Sequence, residues 1–169
     1  MPVQLWRHAV GQSIGKSERF RQNVVPQVSP PGDQVRDPSE PVDRFLASAA
    51  FGVVGASPRR HKYGNKVLRC YQQAGRRAVP VNPRETEIEG AACVASVLDL
   101  PGDVKSLSLI TPPAVTERVV EEAIRKGIEH VWMQPGAESA SAVAACEAAG
   151  INVIADGSCV LVVLGYREF

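Results

Sequence analysis

FGVVGASPRRHKYG, residues 51–64, combines an apolar segment, a turn of small residues and a cluster of cations. The apolar segment 51–54 is typical of a buried strand, and the small residues 55–57 allow backbone N–H groups to approach a ligand closely. The cationic segment 59–62 then leads into a helix, whose N-terminus carries partial positive charge. These features together predict a site for an anion such as the phosphate of a nucleotide.

The composition limits the class of protein. With 169 residues, of which 44% are hydrophobic, the chain is long enough for one compact domain with its own core. A formal net charge of +1 argues against a nucleic-acid-binding domain, and no apolar run approaches the length of a membrane-spanning helix. We therefore expect neither a nucleic-acid partner nor a membrane.

The cysteines indicate the redox environment. They are spread along the chain without a CxxC pair: Cys70, Cys93, Cys146 and Cys159. Because no secretory signal is recognisable, we interpret them as reduced thiols rather than as a disulfide framework or a zinc site. This pattern predicts a cytoplasmic location and no metal site.

Residues 1–42 differ from the rest of the chain, because they hold many prolines and lack a sustained hydrophobic period. We predict a disordered N-terminal extension over 1–42 and a single domain over 43–169. The first 25 residues carry four basic side chains against one acid. This bias leaves a transit peptide, and with it a mitochondrial location, as the alternative to an unstructured leader.

From residue 43 onward, short apolar segments alternate with longer segments of helical periodicity. The predicted strands are 51–55, 78–81, 107–110, 130–133 and 151–154, and the predicted helices are 64–74, 114–126 and 138–149. Three shorter elements are also predicted: a helix over 44–50 capped by Asp43, a strand at 93–94 and a helical turn at 96–100. The alternation predicts an α/β fold with a single Rossmann-like, doubly wound parallel sheet.

In such a sheet, ligands bind at the carboxyl ends of the strands, near the point where the strand order reverses. The residues predicted at those ends are small, polar or cationic: Gly55, Ala56, Ser57, Arg59, Arg60, Lys62 and Asn65 after the first strand, Asn82, Pro83 and Arg84 after the second, and Thr111, Pro112 and Gln134 after later ones. Any one of the cations, taken alone, also fits a solvated face. Their convergence at strand ends favours a phosphate-binding site.

Arg84 discriminates between nucleotides. Enzymes that bind NAD end the second strand with an acid, which accepts from the ribose hydroxyls, whereas this chain has VNPR at 81–84. A cation there suits a ribose phosphate, as in NADP or in the 3′-phosphate of coenzyme A. The G-x-G-x-x-G fingerprint is incomplete, because only Gly55 is well placed. The residues themselves thus leave both NADP and coenzyme A open.

Several segments are more specific than the general features of a Rossmann-like fold: VVGAS (53–57), YGNKV (63–67), VPVNPR (79–84), EG (89–90), TPP (111–113) and WMQPGAE (132–138). Through them the domain resembles the CoA-binding protein family, whose fold is similar to the N-terminal domain of the succinyl-CoA synthetase α subunit. The resemblance covers about residues 43–168 and leaves 1–42 outside. It implies coenzyme A or an acyl-CoA as the ligand.

The resemblance also implies roles for individual residues. The loop 55–57 would hold the diphosphate, and basic side chains would neutralise phosphates: Arg84 with Arg59, Arg60 or Lys62. Further residues would line the cleft for the nucleotide or the pantetheine arm: Thr111, Trp132, Met133 and Gln134.

Groups with a catalytic pattern are sparse. The histidines His8, His61 and His130 have no evident partner, and ligases of the synthetase type place their phosphohistidine in a second domain. Cys159 is the one candidate nucleophile, for thiol or acyl exchange with CoA, and a packing role before the apolar run 160–164 is its alternative.

We therefore predict a non-catalytic carrier, sensor or subunit, with an NADP-binding protein or oxidoreductase as the alternative. The run 160–164 leaves a homodimer contact open, and an unidentified partner subunit stays open as well.

Overall fold

The computed structural model describes residues 39–168. Its elements are α1 (Glu40–Leu46), β1 (Ala50–Val54), α2 (Tyr63–Gln73), β2 (Arg77–Val81), β3 (Glu87–Ile88), β4 (Ala91–Ala92), a 3₁₀ turn (Val97–Asp99), β5 (Ser106–Leu109), α3 (Pro113–Lys126), β6 (His130–Met133), α4 (Ala140–Ala148), β7 (Asn152–Ile154) and α5 (Val160–Val163). Of the predicted extension 1–42, residues 1–38 lie outside the described residues.

The main sheet has five strands in the order β2-β1-β5-β6-β7, and every neighbouring pair is parallel. The chain first moves outward from β1 to β2 and then returns to the other side of β1 to form β5. The strand order therefore reverses between β1 and β5, and a crevice opens at their carboxyl ends. This confirms the predicted Rossmann-like, doubly wound sheet.

Two hydrophobic cores cover the two faces of the sheet. One core packs α3 and α4 against the sheet, and the other packs α1, α2 and α5. Side chains of β1 alternate between them: Phe51 and Val53 enter the second core, whereas Val54 enters the first. Burial on both faces explains why β1, whose five residues are all buried, is a continuous apolar run.

Three short elements differ from the prediction or refine it. The helix predicted at 44–50 instead runs from Glu40 to Leu46, because Pro41 is suited to a first helical turn and Ala50 is taken into β1. The strand predicted at 93–94 is wrong, since only Val94 makes a single bridge to β2. The helical turn predicted at 96–100 is confirmed as Val97–Asp99.

An unpredicted hairpin, β3–β4, follows β2. It turns at Glu89 and Gly90, which both have positive φ, 49° and 75°. Two consecutive positive φ values are typical of the tight turns that fit the twist of a hairpin. A Glu-Gly pair is a weaker signal for such a turn than Asn-Gly, so the sequence pattern did not reveal it.

The apolar run 160–164 forms α5 and its C-terminal end. Val160 is fully buried, whereas Val162 is 79% exposed. Between residues 39 and 168, no helix has both the length and the apolar character needed to cross a membrane.

Candidate functional site

The loop after β1 lies where the strand order reverses. Gly55 donates its N–H to the Val81 carbonyl of β2 at 3.2 Å, and Ile110 donates to the Val54 carbonyl at 2.8 Å. The start of the loop is thus held between the ends of β2 and β5. Gly55 has φ +89°, a conformation that glycine adopts readily and other residues rarely do.

The carbonyl groups of this loop are held by side-chain amides. Asn82 Nδ2 donates to the Ala56 carbonyl at 2.8 Å, and Asn65 Nδ2 donates to the Ser57 carbonyl at 2.8 Å. Among residues 39–168, no group accepts a hydrogen bond from the N–H of Ala56 or of Ser57. The loop therefore offers two free donors beside the N-terminus of α2, an arrangement suited to an anion.

The predicted cations divide into two groups. Arg60 is paired with Glu89, with nitrogen–oxygen distances of 3.2 and 3.3 Å. A hydrogen bond from Asn65 and the neighbouring Arg60 guanidinium together lower the pKa of Glu89, so this acid stays ionised. Within the described part of the chain, the exposed side chains of Arg59, Lys62 and Arg84 form no ion pair. Of the predicted site cations, these three are therefore available to an anionic ligand.

A cavity of about 610 Å³ opens beside the loop, between the ends of β1 and β2 and the helix α3. Its walls are apolar with a few polar side chains: Val54, Gly55, Val81, Asn82, Pro83, Arg84, Ala95, Ser96, Val97, Thr111, Val115, Arg118, Val119 and Glu122. A pocket of this size and character is typical of a site for a small organic ligand.

A smaller cavity of about 340 Å³ lies on the other side of Thr111. Tyr63, the first residue of α2, lines it together with the segments 110–113 and 135–137. Because Thr111 lines both cavities, they flank the same loop after β5.

The end of β6 contributes less accessible surface than the prediction implied. Trp132 and Met133 are fully buried in the two cores on opposite faces of the sheet. Gln134 is fully buried too, and its Oε1 accepts hydrogen bonds from the Val160 N–H at 3.0 Å and from the Tyr63 hydroxyl at 3.2 Å. Gln134 Nε2 has no partner among residues 39–168. The side chains of Trp132 and Met133 therefore reach neither cavity.

The structure brings most of the predicted residues to one edge of the sheet. Five line the larger cavity: Gly55, Asn82, Pro83, Arg84 and Thr111. Pro112 lines the smaller one. The prediction missed two polar groups of α3, Arg118 and Glu122, although Val115, Val119 and these residues recur at helical spacing on one face of that helix.

The candidate catalytic residues lie apart from this arrangement or beside it. His61 is exposed in the cationic loop, and His130 lies at the start of β6, at the opposite end of the sheet, where burial lowers its pKa. Cys159 is half-buried, with its Sγ 2.7 Å from the Tyr63 hydroxyl. No group of three or more potential metal ligands occurs in the described residues.

Comparison with known proteins gives this arrangement a family. The profile of the CoA binding domain matches residues 49–164, which include every strand of the main sheet and both cavities. The chain belongs to the CoA-binding domain family. The resemblance inferred from the motifs is thereby confirmed, and CoA is the cofactor that the family implies. The comparisons give no support to NADP.

Relatives of this CoA-binding domain include much larger proteins. The ADP-forming acetate–CoA ligase I of Archaeoglobus fulgidus is 32% identical over 88 residues, which are 52% of this chain and 13% of that enzyme. The α subunit of the ADP-forming acetate–CoA ligase II of Pyrococcus furiosus is 30% identical over 91 residues, 53% of this chain and 20% of that subunit. This chain thus spans a small part of these curated relatives.

One solved structure is closer to this chain in length than the ligases are. A conserved hypothetical protein from Pyrococcus furiosus is 39% identical and superposes with a TM-score of 0.65, covering 68% of this chain and 97% of that one. The similarity therefore extends over nearly the whole of that solved chain.

Proposed function

We propose that this protein binds coenzyme A or an acyl-CoA at the carboxyl edge of its sheet and acts as a non-catalytic carrier, sensor or subunit. The observation that carries the proposal is the juxtaposition of a cavity of about 610 Å³, the free N–H groups of Ala56 and Ser57, and the unpaired Arg84. These three features suit three parts of CoA: the cavity suits its nucleoside, the free N–H groups suit its diphosphate, and Arg84 suits its ribose phosphate.

The parts of CoA can be assigned to parts of the site. The adenosine occupies the larger cavity, where Arg84 neutralises the 3′-phosphate and apolar side chains of β2 and α3 contact the base. The diphosphate accepts hydrogen bonds from the loop 55–57 and is attracted by Arg59 and Lys62. The pantetheine arm passes Thr111 and Pro112 toward the smaller cavity beside Tyr63, where an acyl group has room.

A partner subunit is part of this proposal. A relative from Pyrococcus furiosus is described as the α subunit of a ligase, and the matched segment is only 20% of it. We infer that a second polypeptide reads or uses the bound CoA, and no homodimer is needed for the proposed site.

Isothermal titration calorimetry of the full chain with CoA, 3′-dephospho-CoA, NADP and NAD tests the binding function. We expect CoA to bind, dephospho-CoA to bind about tenfold more weakly because one charge-assisted contact is lost, and both nicotinamide nucleotides to give no heat. Binding of NADP in preference to CoA, or silence from all four ligands, would contradict the proposal.

A second candidate function, thiol exchange, is favoured by the position of Cys159. Its Sγ contacts the hydroxyl of Tyr63, which lines the smaller cavity where the pantetheine thiol is placed. In this reaction the Cys159 thiolate attacks one sulfur of CoA disulfide. A Cys159–CoA disulfide forms, the original S–S bond breaks, and one CoA leaves as a thiolate that takes up the proton lost by Cys159.

Intact mass spectrometry after incubation with CoA disulfide tests this reaction. We expect one covalent adduct the size of a CoA, removable by dithiothreitol and absent from Cys159→Ser. Cys70 and Cys146 are internal controls, because burial raises the pKa of each thiol to about 11 and keeps both in the unreactive protonated form. An adduct that maps to another cysteine, or no adduct at all, would restrict the protein to non-covalent binding.

A further inference from the structure

A buried arginine lies next to the proposed diphosphate loop. Arg69, in the middle of α2, is only 6% exposed, and sequence reasoning did not identify it as a site residue. Charged side chains are rarely buried unless their donors are satisfied. The partners of Arg69 therefore indicate what its burial is for.

The guanidinium group of Arg69 joins three parts of the chain. Its Nε donates to Asn65 Oδ1 at 2.8 Å, and one terminal nitrogen donates to the Arg60 carbonyl at 3.2 Å. The same nitrogen lies 3.4 Å from Glu168 Oε1, and the group stacks over the Tyr166 ring at 5.5 Å. Arg69 thus binds the cationic loop on one side and the C-terminal segment on the other.

The contact with Asn65 fixes the orientation of that amide. Asn65 Nδ2 donates both to the Ser57 carbonyl at 2.8 Å and to Glu89 Oε1 at 2.9 Å. In the opposite orientation, the amide oxygen would face two acceptors and the amide nitrogen would face the Arg69 guanidinium. Because Arg69 can only donate, it selects the orientation in which Asn65 holds the Ser57 carbonyl.

The consequence concerns the direction of the loop carbonyls. Side-chain donors hold three of them: Asn82 holds that of Ala56, Asn65 that of Ser57 and Arg69 that of Arg60. A carbonyl turned toward a diphosphate would repel it, whereas the N–H groups of Ala56 and Ser57 attract it. Holding the carbonyls back leaves the donors of the loop pre-organised for an anion.

We propose that Arg69 is a positioning residue for the diphosphate subsite: through Asn65 and the Arg60 carbonyl it holds the loop 55–60 in its anion-binding conformation without contacting the ligand. This inference rests on the proposed CoA-binding function. It predicts a defect confined to ligands that carry a diphosphate.

The structure provides a matched control. Lys66 lies one turn before Arg69 on α2 and pairs with the same acid, with its Nζ 2.8 Å from Glu168 Oε2. The Lys66 side chain makes no hydrogen bond to Asn65 or to the loop, judged over residues 39–168; only its backbone N–H does, to the Lys62 carbonyl at 3.1 Å, and a substitution at Lys66 keeps that bond. Lys66→Met therefore removes a cation from Glu168 and leaves the loop contacts intact.

The experiment measures the affinity of the full chain for CoA and for adenosine 3′-monophosphate, which lacks the diphosphate. We expect Arg69→Met to weaken CoA binding at least about tenfold, since a buried charge-assisted hydrogen bond is lost, and to change the affinity for adenosine 3′-monophosphate less than twofold. Lys66→Met should leave both affinities unchanged. Arg69→Lys should bind CoA with intermediate affinity, because one donor can still reach Asn65.

A double-mutant cycle shows whether Arg69 acts through Asn65. In an Asn65→Ala background, Arg69→Met should have less than half of its effect on CoA affinity, since the intermediary is already gone. If Arg69→Met does not fold, as judged by its thermal unfolding curve, Arg69→Lys and Asn65→Ala are compared with wild type in the same way.

The outcomes separate the two proposals. If wild type does not bind CoA, the proposed function itself is wrong. If wild type binds CoA and the Arg69 variants bind it equally well, or lose both ligands in parallel, Arg69 has no positioning role at the diphosphate.

Discussion

Arg84→Glu is expected to weaken CoA binding by about 100-fold, because a charge-assisted contact is lost and a like charge then faces the 3′-phosphate. Arg84 lines the larger cavity, and its backbone N–H donates to Asn82 Oδ1 at 2.9 Å, which holds the turn after β2. No ion pair within residues 39–168 occupies its guanidinium. The substitution therefore changes the charge of the subsite without breaking a contact of the fold.

Calorimetry on Arg84→Glu with CoA and with 3′-dephospho-CoA locates the effect. The loss should shrink to less than about threefold for dephospho-CoA, which lacks the phosphate that Arg84 is proposed to bind. Arg125→Glu is the control, since it reverses an exposed charge in the last turn of α3 at a residue that does not line the cavity. Equal losses for both ligands would place Arg84 at another part of CoA, and an unchanged affinity would make it a solvated surface residue.

Gly55→Ala is expected to lower the free energy of unfolding by about 3 kcal/mol or more, since it combines left-handed strain with a clash against the backbone. A Cβ at Gly55 would lie 2.3 Å from the Ile110 carbonyl oxygen, and the φ of Gly55 is +89°. Gly64→Ala should also destabilise the fold, but by a clash without left-handed strain, because its Cβ would lie 2.0 Å from the Gly55 carbonyl oxygen. The two glycines together allow the start of α2 to pack directly against the loop after β1.

Gly75→Ala separates strain from clash. Gly75 has φ +66° at the end of α2, and a Cβ there would have no atom within 4 Å, so the expected cost is about 1 kcal/mol from left-handed strain alone. Urea unfolding followed by circular dichroism measures all three variants. A Gly55→Ala protein as stable as Gly75→Ala would show that the ends of β1 and β5 can move apart, contrary to the packing described here.

The architecture was predictable because it depends on short-range patterns. Apolar runs flanked by glycine and proline located the five strands of the sheet, and the helical spacing of Val115, Val119 and Val120 located α3 to within one residue. In a parallel sheet, all carboxyl ends lie at one edge, so the positions of Gly55, Asn82, Arg84 and Thr111 at one site followed from the strand assignment.

The accessible surface of the site was less predictable. Trp132 and Met133 follow the family motif, yet alternation along β6 directs them into opposite cores. Their burial depends on which helices cover each face, a property that β6 does not encode locally. The motif therefore indicated the strand correctly without indicating which of its side chains reach a cavity.

Pairings between distant residues required the tertiary structure. The sequence places three cations at 59–62 and a fourth at Arg84, but only the fold shows that Arg60 is neutralised by Glu89, 29 positions away, whereas the Arg84 side chain forms no ion pair among residues 39–168. It likewise brings Glu168 and Tyr166 to Arg69, and Asn65 to Ser57. Hydrophobic periodicity is a local pattern that shows which segments form strands and helices. The sequence alone was therefore enough to predict the parallel sheet and the edge at which it binds a ligand. The choice of which charges are buried, paired or free depends on contacts made only when remote segments pack together.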